Sequence, residues 1–445
     1  MSRRSQAGKR LFVLGLDGVA HDLVRAGAER GRFRNLARLG EIVSIRSTVP
    51  PVSSVAWATF STGVNPARHG IFGFVERDPR AMRERIPTAR DLRSPSLWRM
   101  MNDAGLRTIA LGVPPTFPPE TVDGILVSCF LCTHLEKGVH PPSLLPRLEQ
   151  HGYRTDADPS LAARDRRAYL EDIVSVFRAR RRAILDLLHE PWDLFVAHVL
   201  ETDRVNHVFF ADGADPTAEF HDAFWEFYDE VDRFVGEVER ALPEGADFLV
   251  LSDHGFARTE EEVDVNAALA EGGFFRLRED GEGLARLDPS SLAYSLPPGR
   301  VYLSFAGREK DGIVSPTEYE AVRERIAAFL AGLRDAHDTS VVDRVVLREE
   351  AYAGPCLDQA PDLVLLPRDG IELKARFSPG PVSSPPTLRT GSHTYDGALA
   401  VLRGKNLTEG GSLVDLTPTV FELLGLPVPS QLEGRSLLVR ERVRA

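Results

Sequence analysis

Cysteine is scarce in this 445-residue chain, and three thiols cannot build a disulfide framework. A reducing compartment is the setting such a composition fits. Long apolar runs are missing as well. The N-terminus carries Arg3, Arg4, Lys9 and Arg10, but the apolar stretch behind it, Leu11 to Leu16, stops at Asp17. That is too short for a signal-peptide core or a membrane span, so a cytoplasmic, soluble protein without a membrane span is expected. Positive charge is not in excess either: 54 Lys and Arg face 65 Asp and Glu, for a formal net charge of −11. Without a basic footprint for a phosphate backbone, no nucleic-acid polymer is expected as a partner, and a small ligand is. The 36 Gly and 31 Pro follow no repeat, which excludes collagen-like and low-complexity chains. At about 150 residues per domain the length corresponds to about three domain equivalents, or to one large α/β core with an insertion.

What the chain does contain is a series of short apolar runs that end in loops. Leu11 to Leu16, Thr108 to Val113, Gly124 to Val127, Leu194 to Val199, Asp247 to Leu251 and Ala398 to Leu402 read as buried inner strands. Helical spacing lies between them, over Arg32 to Leu39, Ala56 to Thr62, Leu97 to Ala104, Ala168 to Leu188 and Ala218 to Leu242. The alternation predicts an α/β fold with a parallel sheet and helices on both faces. After Gly255 the pattern changes to a short helix (Val265 to Ala270), a turn-rich stretch (Glu279 to Gly299), a strand (Val301 to Phe305), a helix (Thr317 to Leu333) and a Pro-rich segment (Pro379 to Pro386). Three parts are expected: a basic tail at 1–10, a core at 11–255 and 391–445 closed by a helix at Leu416 to Leu424, and an inserted cap at 256–390.

Carboxylates and imidazoles gather just beyond the expected strand ends, where open α/β sheets bind ligands. Asp17 follows the first strand, Asp203 and His207 follow Leu194 to Val199, Asp253 and His254 follow Asp247 to Leu251, and His393 precedes Ala398 to Leu402. The Asp203-x-x-x-His207 spacing puts both side chains on one face of a helix. Singly, each residue could equally be an N-cap, a turn former or a structural histidine. Jointly, three Asp and three His with mixed N/O donors suit Zn²⁺ or Mn²⁺. Pro50-Pro51-Val52-Ser53-Ser54 runs extended into a helix, so a serine sits where helix N–H groups face anions, as a cap, a nucleophile or both.

These residues resemble the alkaline phosphatase superfamily in its type I phosphodiesterase/nucleotide pyrophosphatase branch. The likeness runs through Gly15-Leu16-Asp17-Gly18, Ser53, Thr62 to Ile71, Thr202 to His207, Ser252-Asp253-His254-Gly255, Gly391-Ser392-His393, Asp415 to Thr419 and Leu424 to Pro427. It implies an alkaline-phosphatase-like, mostly parallel sheet flanked by helices with an inserted cap. It implies two divalent metal ions, Zn²⁺ first with Mn²⁺ or Fe²⁺ as alternatives. Asp17, Asp253, His254 and the Ser53 oxygen would hold one, and Asp203, His207 and His393 the other. Two divalent ions against three carboxylates leave about +1 for an anionic ester. Ser53, ten residues before Gly63, falls at the family's nucleophile, with Ser54 the second choice, and Arg204 is a candidate substrate contact. The chain departs from the family at Ser53-Ser54-Val55-Ala56, where nucleotide pyrophosphatases usually show Thr-Phe-Pro-Asn, so the Asn that would contact a phosphoryl oxygen is missing.

The function implied is a two-metal phosphohydrolase that cleaves a small phosphate diester or pyrophosphate through a phosphoseryl intermediate. A phosphomonoesterase or phosphomutase of the same superfamily is the alternative, and a non-catalytic metal-bound phosphate sensor is a third reading. Substrate and oligomeric state stay open. Cys129-Phe130-Leu131-Cys132 has CxxC spacing but no second pair for zinc, and Gly15-x-x-Gly18 lacks the dinucleotide spacing. The run Arg178 to Arg182 reads as a solvated helix face, and His69 as a residue that ties down a loop.

Overall fold

In the computed structural model of the protein, which describes residues 8–439, the apolar runs assemble into an eight-stranded sheet. The expected tail at 1–10 lies mostly outside the described residues. Across the sheet the strands are Val43–Ile45, Ala398–Leu402, Asp247–Leu251, Leu11–Leu16, Leu194–Val199, Thr108–Leu111, Gly124–Val127 and Val139–His140. The five from Asp247–Leu251 to Gly124–Val127 are mutually parallel. Ala398–Leu402 lies inside the sheet as expected, but it runs antiparallel to both neighbours.

Burial on both faces explains why the strands read as continuous apolar runs. In Leu11–Leu16, Phe12, Leu14 and Leu16 join one core cluster, and Leu11 and Val13 join the other. The first cluster packs under the helices Arg166–Leu187, Glu201–Ala214 and His221–Ala241, the second under Ser53–Thr62, Leu97–Asp103 and Leu416–Leu423. In His221–Ala241, Phe224, Phe227, Val231, Phe234, Val235 and Val238 face inward at helical spacing.

The arginine run departs from a solvated face. Arg178 and Arg181 pair with Glu230 and Glu237, but Arg180 is fully buried. Its Nε donates to both Glu201 oxygens, at 2.9 and 3.1 Å, and its Nη1 donates to the Tyr153 hydroxyl at 2.8 Å. A wholly buried guanidinium needs this degree of satisfaction. The pair anchors the first residue of the helix Glu201–Ala214, which carries Asp203 and His207.

Beyond Gly255 the chain builds a second sheet of four antiparallel strands in the order Ala293–Leu296, Arg300–Leu303, Leu363–Pro367, Val342–Leu347. With the helix Tyr319–Ala331 it closes a separate apolar cluster around Tyr294, Tyr302, Ile326 and Leu365. Part of the turn-rich stretch is therefore a buried strand, Ala293–Leu296, and two strands of this sheet, Val342–Leu347 and the apolar run Leu363–Pro367, lie outside the expected elements. The chain returns through Gly391–Thr394, which pairs antiparallel with Gly255–Arg258 and sets His393 opposite Phe256.

Candidate active site

Adjacent parallel strands end at the same level, so the residues that follow them converge. Asp17 leaves Leu11–Leu16, Asp253 and His254 leave Asp247–Leu251, and Asp203 sits in the first turn of the helix after Leu194–Val199. The Asp17 turn requires Gly18, whose φ is +64° and whose Cβ, if present, would lie 2.9 Å from Phe256 and 3.1 Å from His254. The helix Glu201–Ala214 ties the turn down: Thr202 Oγ1 donates to the Asp17 carbonyl at 2.7 Å, and Asn206 Nδ2 donates to the Gly18 carbonyl at 2.8 Å.

Two ligand clusters result. Asp203, His207 and His393 form one, and Asp17, Asp203 and His254 the other. Asp203 Oδ1 stands 3.3 Å from His207 Nε2 and 3.1 Å from His393 Nε2. His254 Nε2 stands 3.5 Å from Asp17 Oδ1 and 3.4 Å from Asp253 Oδ2. All three imidazoles are oriented from behind, their Nδ1 atoms lying 3.0, 3.1 and 3.0 Å from the carbonyls of Gly391 (His207), Gly255 (His254) and Pro51 (His393). A carbonyl only accepts, so Nδ1 carries the proton and each Nε2 turns a lone pair inward, the arrangement that metal-binding histidines require.

The donor set fits cations on further grounds. His207 Nε2 and His393 Nε2 face each other at 3.0 Å, a contact between two lone pairs that a positive charge relieves. Asp253 Oδ2 is buried without a hydrogen-bond partner. Burial and the charge of Asp17 push the Asp253 carboxyl well above its ordinary range. Burial also raises Asp203, but His207 and His393 outweigh it and hold the group well below that range. Asp17 is raised by burial and carried below its usual value by the His198 hydrogen bond and the neighbouring imidazoles. His254 is pushed down to about 3 by burial and by His393, which keeps it neutral.

Ser53 is the first residue of the helix Ser53–Thr62 and does not cap it. Its Oγ lies 3.2 Å from Asp17 Oδ1 and 3.2 Å from His254 Nε2. Ser54 Oγ is buried with no hydrogen-bond partner, so the adjacent serines differ sharply. Arg204 stands beside the site, its Nε and Nη2 on Asp156 at 3.0 and 2.6 Å and its Nη1 on Asp203 Oδ2 at 3.1 Å. A cavity of about 550 Å³ opens between His393 and Tyr395 on one side and Arg344 and Arg368, beside the four-stranded sheet, on the other.

His69 is buried and held neutral near a pKa of about 3; its Nε2 lies 3.0 Å from Thr59 Oγ1, and its Nδ1 accepts from the Ile71 N–H at 3.2 Å. It pins the loop after the helix. Cys129 and Cys132 are buried, with burial pushing both thiols up, and neither belongs to a metal-type cluster among the described residues.

Two neighbours of Asp17 escaped sequence reasoning, His198 and Trp57. His198 Nε2 lies 2.6 Å from Asp17 Oδ2, and Trp57 Nε1 donates to the same oxygen at 3.1 Å. The available signal for His198 was a lone imidazole inside the apolar run Leu194 to Val199; Trp57 carried none beyond an apolar helix position.

Solved structures share this fold. Phosphonoacetate hydrolase from Sinorhizobium meliloti 1021 aligns with a TM-score of 0.59 at 19% identity, over 94% of this chain and 96% of that one. Murine ectonucleotide pyrophosphatase / phosphodiesterase 5 aligns with a TM-score of 0.57 at 15% identity, over 97% of this chain and 100% of that one. The family model described as type I phosphodiesterase / nucleotide pyrophosphatase matches residues 11–396. With that match spanning most of its length, the chain belongs to the type I phosphodiesterase / nucleotide pyrophosphatase family, whose members are hydrolytic enzymes of the alkaline phosphatase superfamily.

Proposed function

We propose that this phosphoryl hydrolase cleaves a phosphate diester or pyrophosphate with Ser53 as nucleophile. The observation that carries the reading is the position of Ser53 Oγ, 3.2 Å from Asp17 and from His254 at the start of a helix. Asp203, His207 and His393 would hold one divalent ion, and Asp17 and His254, with Asp253 and Ser53 beside them, a second, with Zn²⁺ the best match to these donors and Mn²⁺ or Fe²⁺ the alternatives. When bound, the ions supply Lewis-acid charge that offsets the three carboxylates and the developing negative charge on oxygen.

The chain's own groups do the rest. The Ser53 hydroxyl is oriented by its hydrogen bond to Asp17 Oδ1 and gives up its proton to water as Oγ forms the new bond to phosphorus, while the ester P–O bond breaks and the leaving oxygen takes a proton from water. The first N–H groups of the helix Ser53–Thr62 lack intrahelical acceptors and face the charge that gathers on the phosphoryl oxygens. Water then cleaves the phosphoseryl bond and restores the hydroxyl. The cavity beside His393 has room for the part of the substrate that is not transferred.

Diester preference rests on charge. No cation lies between Val52 and Trp57. The two arginines on neighbouring helices face carboxylates, Arg204 those of Asp156 and Asp203, and Arg68 that of Glu433 at 3.5 Å. A monoester dianion would lack the extra cationic group that its second charge calls for. Three unpaired thiols fit a reducing, cytoplasmic setting, and among the described residues no helix is long and apolar enough to cross a membrane. The test is kcat/KM for bis(p-nitrophenyl) phosphate against p-nitrophenyl phosphate at equal metal loading. A clear preference for the diester is expected, and a preference for the monoester overturns the substrate assignment.

A further inference from the structure

We infer that His198 and Trp57 are positioning residues for Asp17, holding its outer oxygen so that the inner oxygen alone is presented to Ser53 and to a bound ion. The inference rests on the two-ion reading of the site and adds to it a device specific to one of the two clusters.

Sheet register creates the device. His198 pairs with Gly15 across the parallel strands Leu194–Val199 and Leu11–Leu16 and is fully buried. Trp57 comes from the helix Ser53–Thr62, one turn after Ser53, and its indole lies over Gly15. A Cβ at position 15 would fall 2.2 Å from the Trp57 ring, so glycine there is what admits the indole. The Trp57 and His198 rings meet edge to face, with centroids 4.8 Å apart.

Both rings spend their N–H on one atom. His198 Nε2 and Trp57 Nε1 reach Asp17 Oδ2 at 2.6 and 3.1 Å. A carboxylate oxygen only accepts, so the His198 proton sits on Nε2, and its Nδ1 is left buried with no partner. A buried nitrogen without a partner carries a cost, and the tautomer that bears it is the one that donates to Asp17. Oδ1 is thereby turned toward Ser53 and His254. Hydrogen bonds to a ligating carboxylate fix its orientation, and loss of such a partner costs about 10- to 100-fold in metal affinity. Asp203 is held differently, because its outer oxygen takes a charged donor, Arg204.

The experiment titrates full-length apoprotein with Co²⁺ and Zn²⁺, reading ion affinity at each site by calorimetry and the Co²⁺ absorption spectrum. His198→Phe keeps the ring and removes the donor; His198→Gln restores a donor. The expected result is a loss of about 10- to 100-fold in affinity at one of the two sites for His198→Phe, with the other within about twofold of wild type, and recovery of most of the loss in His198→Gln. Trp57→Phe should weaken the same site by a smaller factor, and it decides the matter if His198→Phe does not fold. Equal weakening of both sites, or unchanged affinities in folded variants, overturns the positioning role. Wild-type protein that takes up no ion instead overturns the two-ion reading itself, a result visible before any variant is made.

Discussion

The two halves of the candidate site are built from the same residue types but by different architecture. Asp17, Asp253 and His254 are fully buried and emerge from adjacent inner strands, with Asp17 braced by the ring nitrogens of His198 and Trp57. Asp203 stands on a helix and His393 on the short strand Gly391–Thr394, and the side chains of His207 and His393 are 10% and 17% exposed. Asp203 is braced by a cation, Arg204. The inner half is fixed by the sheet itself, whereas the outer half depends on a helix anchored through Arg180–Glu201 and on the return of the chain at Gly391–Thr394.

The largest expected effect is at the junction of the halves. Ser53→Ala should lower turnover by roughly a thousandfold or more while both ions stay bound, because it removes the attacking oxygen and only one weak ligand. Ser54→Ala should be far milder, since its hydroxyl has no partner in the site. Steady-state kinetics with metal analysis of the same samples checks both, and a reversal of the two results would move the nucleophile to Ser54.

Next come the ligands. His393→Ala should leave about one ion per chain, held by the inner half, and Asp253→Ala should leave about one held by the outer half. Metal content after extensive dialysis distinguishes the two, and loss of both ions in either variant would mean that the halves are not separable.

Much of this division was legible in the sequence. The short apolar runs mark the parallel strands, and Asp17, Asp203 and Asp253 each follow one closely enough for their convergence to be expected. The i,i+4 spacing of Asp203 and His207 gave their common helix face. His393 was placed chiefly by family resemblance, because its position depends on the pairing of Gly255–Arg258 with Gly391–Thr394, two segments far apart in sequence. His198 and Trp57 were missed because their role follows from cross-strand register and from the missing Cβ of Gly15, neither of which has a local pattern. Arg180 looked solvated because its partners, Glu201 and Tyr153, are remote in sequence. The strand Val342–Leu347 alternates poorly, with exposed Asp343 and Arg344 side by side, which hid it among loops.

A smaller effect sharpens the contrast in bracing. Arg204→Met should change ion affinity at the outer half by about threefold at most, because lost orientation of Asp203 is offset by removal of a positive charge beside the ion. Calorimetric titration of the variant checks this, and a loss as large as that expected for His198→Phe would show that bracing by Arg204 and bracing by the two rings act alike.

The smallest effect concerns a histidine outside both halves. His69 has a folded pKa of about 3 against 6.5 for the free side chain. Between those values the unfolded chain binds a proton that the folded one does not, so stability present above pH 6.5 is lost as pH falls toward 3. The slope is about 1.4 kcal/mol per pH unit for one proton. Urea unfolding of wild type and His69→Gln between pH 6 and 5 should show a shallower pH dependence in the variant, and identical slopes would mean that His69 is not held neutral.

The stereochemical course at phosphorus tests the attack by Ser53 most directly. Hydrolysis of a phosphorothioate diester of defined chirality in isotopically labelled water reports whether one or two in-line displacements occur. Attack by Ser53 followed by attack of water gives two inversions, and the account predicts net retention. Net inversion would show that water attacks the ester in a single step and would contradict the role assigned to Ser53.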